Sequence, residues 1–172
     1  MSRAIRKAKP YLAYALFLAF LLFVKANVGQ AAYIPSGSMI PTLNIHDVLI
    51  IDKMVKPEDL KFGDIVVFQP PEELNLDKIL IKRLIGLPGD TIEVRDGKLY
   101  RNGKAVEEPY LNETMTYRMA KVVVPEGSYF FLGDNRNRSN DSHLWPTPFV
   151  PASSIIGKAV YRVFPFNHME GV

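Results

Sequence analysis

Cysteine is absent from the 172 residues, and histidine occurs only three times, at His46, His143 and His168. The first absence excludes a disulfide framework, a cysteine nucleophile and any zinc or iron–sulfur site built on thiolates. The second leaves too few imidazoles, too widely spread, for a histidine-rich metal centre. No metal or other cofactor is expected. No Gly-X-Ser-X-Gly elbow, internal repeat or low-complexity tract is present. A basic stripe is missing as well. Net charge is +3, but Arg3, Arg6, Lys7, Lys9 and Lys25 lie among residues 1–25 with no acid beside them. The rest carries sixteen bases against eighteen acids, so no nucleic-acid partner is expected. At this length and 48% apolar content the chain holds one ordinary domain and little more.

What is present begins at the N-terminus. Behind the basic cluster and Pro10, residues 11–24 form an unbroken apolar run of 14 residues, short of the roughly 20 that cross a bilayer core. Lys25 can snorkel, and Ala26, Val28, Ala31 and Ala32 extend the span. The charge asymmetry places residues 1–10 in the cytoplasm and the chain beyond about residue 30 outside. A basic segment, a short apolar core and small residues at 29–32 also describe a cleavable signal peptide. Both readings export the remainder.

Beyond Tyr33 no long stretch has 3.6-residue periodicity, and Pro and Gly punctuate the chain. Strands are expected at residues 47–51, 63–68, 79–85, 128–132 and 158–163, with a meander at 91–95 and 98–101. Asp96-Gly97 and Asn102-Gly103 suit the positive φ of type I′ turns. Residues 55–61 and 151–156 suit short helical turns. The expectation is a mainly β domain behind one membrane helix.

Three segments differ from plain scaffold. In residues 34–43, Ser36 and Ser38 flank Gly37 between two prolines, which describes either a linking turn or a site of close backbone approach. In residues 77–90, Lys82 shares a strand face with Leu80 and Leu84, and Arg83 shares the other with Ile81 and Ile85. A lysine against an apolar layer can lose its proton and serve as a general base, whereas arginine stays charged. A pair of exposed bases on an edge strand fits the same pattern. Residues 133–143 gather Asp134, Arg136, Ser139 and Asp141 in a loop that is either solvated or a network orienting a catalytic group.

Residues 35–43, 82–90 and 133–142, with a further box at 63–68, resemble the motifs of the bacterial type I signal peptidases. They fall in that family's order, behind an N-terminal segment of its kind. The resemblance implies an antiparallel β-sheet catalytic domain at 31–172, a small β-ribbon cap at 91–127 and a retained anchor at 11–30. It implies Ser38 as nucleophile and Lys82 as general base. Ser36 and the Ser38 backbone N–H would form the oxyanion hole. Ser139 would hydrogen-bond the Lys82 ammonium, with Asp134, Arg136 and Asp141 as support. Ile34, Pro35, Met39, Leu43 and Ile81 would line shallow pockets for small side chains. The partners implied are signal peptides of exported preproteins and the lipid bilayer, served by a monomer spanning the cell membrane once.

The sequence departs from the family pattern at three places. His46 stands where glycine is frequent, His143 where arginine is frequent, and Pro146-Thr147-Pro148 follow Trp145 in place of a glycine-led turn. Competing readings are a serine hydrolase with His143 as base, a relative of the self-cleaving repressors, and a non-catalytic peptide-binding β-domain.

Overall fold

β-Branched and aromatic runs separated by Gly, Pro and Asn turns make strands, because branched side chains fill a pleated surface and the turn residues end each ladder. The computed structural model describes residues 14–19, 29–76 and 78–172. The described residues form β1 (Gly29–Tyr33), β2 (Val48–Asp52), β3 (Ile65–Phe68), β4 (Leu80–Gly86), β5 (Thr91–Arg95) and β6 (Lys98–Arg101). They continue with β7 (Lys104–Ala105), β8 (Met119–Val123), β9 (Ser128–Leu132), β10 (Phe149–Pro151), β11 (Ile155–Phe164) and β12 (Glu170–Gly171). Short 3-10 turns occupy Pro57–Asp59 and Ala152–Ser154, where helical turns were expected.

Residues 1–10 and most of the expected anchor at 11–30 lie outside the described residues. Residues 14–19 are helical, and no helix among the described residues is long and apolar enough to cross a membrane. Gly29 and Gln30, assigned in sequence to the end of the anchor, instead begin β1 and pair with Asp52 and Ile51 of β2. Small residues carry almost no strand signal of their own, so this pairing follows from the neighbour and not from local preference.

The main sheet has eight strands in the order β1-β2-β11-β3-β4-β9-β10, with β12 paired to β11. Its pairings are antiparallel. A second sheet, β7-β6-β5-β8, is built on the expected meander. Its turns have φ of 53° at Asp96 and Asn102, and of 73° and 77° at the glycines that follow. Ile65 to Phe68 are buried on both faces, which seats β3 centrally. Lys82 is in register with Val66 and Arg83 with Ile65, so both cations enter the interior of the sheet. Ile85, Phe130 and Leu132 join Ile92, Val94 and Leu99 of the second sheet in one apolar cluster.

Candidate active site

The turn Gly37–Met39 follows β1 and drives Met39 into the core. Because Met39 is wholly buried beside Ile34 and Leu43, the preceding residue is turned the other way, toward β4. Lys82 Nζ donates to Ser38 Oγ at 2.5 Å. Only 4% of Lys82 is exposed. Burial pushes its ammonium down from 10.5 to about 8; Asp141 and Asp134 oppose that shift and Lys78 adds to it. Near neutrality about a tenth of such lysines is uncharged, and a neutral Nζ accepts a proton from the hydroxyl it touches. Ser36 Oγ lies 3.4 Å from Ser38 Oγ on the exposed side of the turn.

The loop after β9 holds this turn from behind. The Asn135 N–H donates to the Ser38 carbonyl at 3.1 Å, and Asn135 Nδ2 donates to the Gly37 carbonyl at 3.0 Å. Asn135 sits inside the polar motif singled out in sequence, yet no role was assigned to it. Its function depends on a contact between distant loops.

Arg83 ties the loops together. Its Nε and Nη2 donate to the two oxygens of Asp134 at 2.8 and 2.5 Å, and Nη1 donates to the Gly63 carbonyl at 2.7 Å. The Thr42 hydroxyl also donates to Asp134. Arg162 Nη1 meets the same segment from the other side, on the Thr42 carbonyl at 3.1 Å and Asp47 at 2.8 Å. Asp134 therefore braces the Ser38 loop through Arg83 and Thr42. Asp141 accepts the Gly133 N–H at 2.8 Å and His143 Nδ1 at 2.6 Å. Arg136 is wholly buried and pairs with Glu108, a residue that sequence reasoning missed.

Two placements differ from the sequence expectation. Ser139 is buried, but its hydroxyl has no hydrogen-bond partner among the described residues, so the expected bond to Lys82 is not made. Its side chain is instead packed against the Cα of Gly133, while the Lys82 nitrogen is engaged by Ser38. The expected pocket residues also do not wall the open cleft beside Ser38 and Lys82. Ile34, Met39 and Leu43 are buried in the apolar cluster under the Ser38 loop, Ile81 packs against that cluster, and Pro35 is exposed. The cleft itself, about 500 Å³, is lined by Ser36, Ser38, Ile40, Leu76, Leu80, Lys82, Asn135 and Arg138 among others. Leu76 and Leu80 gave no signal beyond being apolar, because cleft walls are assembled by tertiary contact.

No group of three or more metal-ligating side chains occurs among the described residues. What the arrangement can do is transfer a proton from Ser38 to a buried amine at the edge of an open cleft, which is the requirement for nucleophilic attack by a serine.

A family profile described as signal peptidase, peptidase S26, matches residues 7–164. The probable signal peptidase I-1 of Synechocystis sp. is 45% identical over 94% of this chain and 83% of its own length. The signal peptidase I of Leptolyngbya laminosa is 43% identical over 86% of this chain and 75% of its own. The crystal structure of a signal peptidase I from Enterococcus faecalis V583 superposes with a TM-score of 0.51 at 38% identity, covering 58% of this chain and 96% of that one.

Proposed function

Because the chain belongs to the signal peptidase family, peptidase S26, and has the function of a signal peptidase I, we propose that it removes signal peptides from exported preproteins through a Ser38–Lys82 dyad. The observation that carries this reading is the 2.5 Å contact between Lys82 Nζ and Ser38 Oγ, made by a lysine whose burial favours its neutral form.

In this mechanism neutral Lys82 takes the Ser38 hydroxyl proton while Oγ bonds to the scissile carbonyl carbon. The oxyanion is met by the Ser38 backbone N–H and the Ser36 hydroxyl, each such donor worth about 3 kcal/mol. The C–N bond then breaks, the Lys82 ammonium protonates the departing amine, and the signal peptide remains as an ester on Ser38. Lys82 next deprotonates a water that attacks the ester, and Ser38 recovers its proton. Asp134, Arg136 and Asp141 hold the loops that carry these groups.

The substrate is an extended segment laid along the exposed edge at β1. Its small side chains, as in Ala-X-Ala, rest in the cleft beside Ser38 and Lys82, against Ile40, Leu76 and Leu80. A single-pass anchor ending before β1, with its N-terminus in the cytoplasm, would confine enzyme and preprotein to one bilayer and raise their effective concentration. The enzyme acts as a monomer without cofactor.

The test is cleavage of a membrane-embedded preprotein with an Ala-X-Ala site by wild type, Lys82→Ala and His143→Ala, with the product's new N-terminus sequenced. A cut after the second alanine, lost only in Lys82→Ala, supports the dyad. Absence of any wild-type cut, or loss of cleavage only in His143→Ala, overturns it. Release of the full chain from membranes by an alkaline wash would overturn the anchor.

A further inference from the structure

The loop at residues 106–118, between β7 and β8 of the second sheet, supplies no side chain to the Ser38–Lys82 pair. It nevertheless reaches each loop that braces that pair. Glu108 accepts Arg136 Nη1 and Nη2 at 2.7 and 2.6 Å through its two oxygens. The Glu108 side chain is only 4% exposed and that of Arg136 is not exposed at all. The Tyr110 hydroxyl donates to the same carboxylate at 2.6 Å, and the Tyr110 ring lies under the Arg83 guanidinium, 3.9 Å from its centre. Thr116 donates through N–H and Oγ1 to Asn137 Oδ1 at 2.9 and 3.0 Å. The Tyr117 ring stacks on His143, centroids 4.0 Å apart and 12° from parallel.

A buried ion pair is a poor source of net stability, since desolvation cancels most of its attraction. What a two-point carboxylate–guanidinium fork supplies is orientation. Here the fork fixes the guanidinium plane so that Arg136 Nε donates to the Gly133 carbonyl at 3.1 Å. Gly133 is the residue whose Cα abuts the Ser38 carbonyl. A line of contacts thus runs from Glu108 through Arg136 and Gly133 to the nucleophile's own backbone. Tyr110 makes a parallel line through Arg83 to Asp134 and Thr42.

We propose that this loop is a positioning strap, in which Glu108, steadied by Tyr110, sets the placement of Ser38 through Arg136 and Gly133. The second sheet is then part of the machinery that aligns the dyad. The proposal rests on the Ser38–Lys82 reading, and wild-type cleavage is the control that separates the two failures.

The experiment measures kcat, KM and the thermal unfolding midpoint of the full chain in lipid vesicles for wild type and three variants. Glu108→Gln keeps the shape and loses the charged fork. Tyr110→Leu removes a half-buried ring and hydroxyl. Glu108→Leu/Arg136→Leu replaces the pair by apolar side chains and restores folding if the pair is only structural. The strap predicts kcat lowered about tenfold to a hundredfold with KM nearly unchanged in Glu108→Gln, the range that a misplaced reacting group produces. It predicts a smaller loss in the same sense for Tyr110→Leu at an unchanged midpoint. In the double variant it predicts a restored midpoint with kcat still low. Folded Glu108→Gln and Tyr110→Leu with wild-type kcat overturn the proposal, as does a double variant that regains kcat together with its midpoint. If Glu108→Gln does not fold, Tyr110→Leu and the double variant decide.

Discussion

Gly133 lies directly against the carbonyl of Ser38: a Cβ built on Gly133 would meet that oxygen and the Ser139 hydroxyl closer than real Cβ contacts come. The glycine is required here by lack of space. Backbone and side-chain atoms crowd it from two sides, and neither neighbour is the free end of a flexible chain. The position of Ser38 is therefore set in part by the absence of a side chain on another loop.

It follows that Gly133→Ala displaces the Ser38 turn or the 133–142 loop. The expected outcome is a fall in kcat of about a hundredfold, with stability lowered by roughly 1–3 kcal/mol from overpacking. Peptide cleavage together with denaturant titration checks both. Wild-type kcat in a folded Gly133→Ala would show that the turn tolerates the displacement.

Lys82 gives the enzyme a pH dependence. In the proposed dyad the neutral amine is the active form, and because burial brings its pKa to about 8, kcat/KM should rise tenfold per pH unit at acid pH and level off above about 8. The same group links stability to pH. Unfolded Lys82 keeps its proton up to about 10.5 while the folded form has released it above about 8. Between those values the unfolded state binds more protons, so stability rises with pH. Denaturant midpoints of wild type should accordingly gain on those of Lys82→Met from pH 8 to 10.5. A kcat/KM that is flat from pH 6 to 10 would remove lysine as the base.

Arg83 and Asp134 form a forked pair in which the Asp134 side chain is fully buried. Asp134→Asn leaves the guanidinium without its counter-charge, and a loss of about 3–5 kcal/mol is expected. Arg83→Lys keeps the charge but cannot span both carboxylate oxygens and the Gly63 carbonyl at once. Both variants should unfold at lower denaturant with an unchanged slope, which equilibrium titration measures.

His143 donates through Nδ1 to Asp141 and stacks on Tyr117, so its ring is engaged in holding a loop. Replacement by Phe preserves the stacking. His143→Phe should stay within about tenfold of wild-type kcat, whereas Lys82→Ala should lose about 10²–10⁴-fold, the range a general base supplies. Single-turnover cleavage by the two variants side by side provides the comparison.

Several features are legible in the sequence alone. The hairpin turns at Asp96-Gly97 and Asn102-Gly103 come from residues that accept positive φ, and the structure has them there. The strand through Lys82 and Arg83 was legible from its branched apolar residues. β1 was not, because Gly29, Gln30, Ala31 and Ala32 have weak strand preference and gain theirs from pairing with β2. Glu108 was equally silent. In sequence it is one of two adjacent glutamates before a proline, which reads as a solvated loop, and only the packing of Arg136 against it shows otherwise.

The sequence by itself determined which residues could do chemistry. It offered a serine in a glycine–proline turn, a lysine between apolar neighbours and a loop of mixed charge, with no cysteine for a thiolate mechanism and too little histidine for a histidine-rich metal centre. Such properties belong to residue type and near neighbours, so they survive without a fold. Tertiary structure decided what each group touches. It brought Ser38 and Lys82 into contact, gave Asp134 to Arg83 and Glu108 to Arg136, left the Ser139 hydroxyl without a partner among the described residues, and walled the cleft with Leu76 and Leu80. The reason is physical. A buried polar group must find its partner wherever the chain crossing delivers one, and those crossings depend on the burial of three apolar clusters that no local pattern encodes.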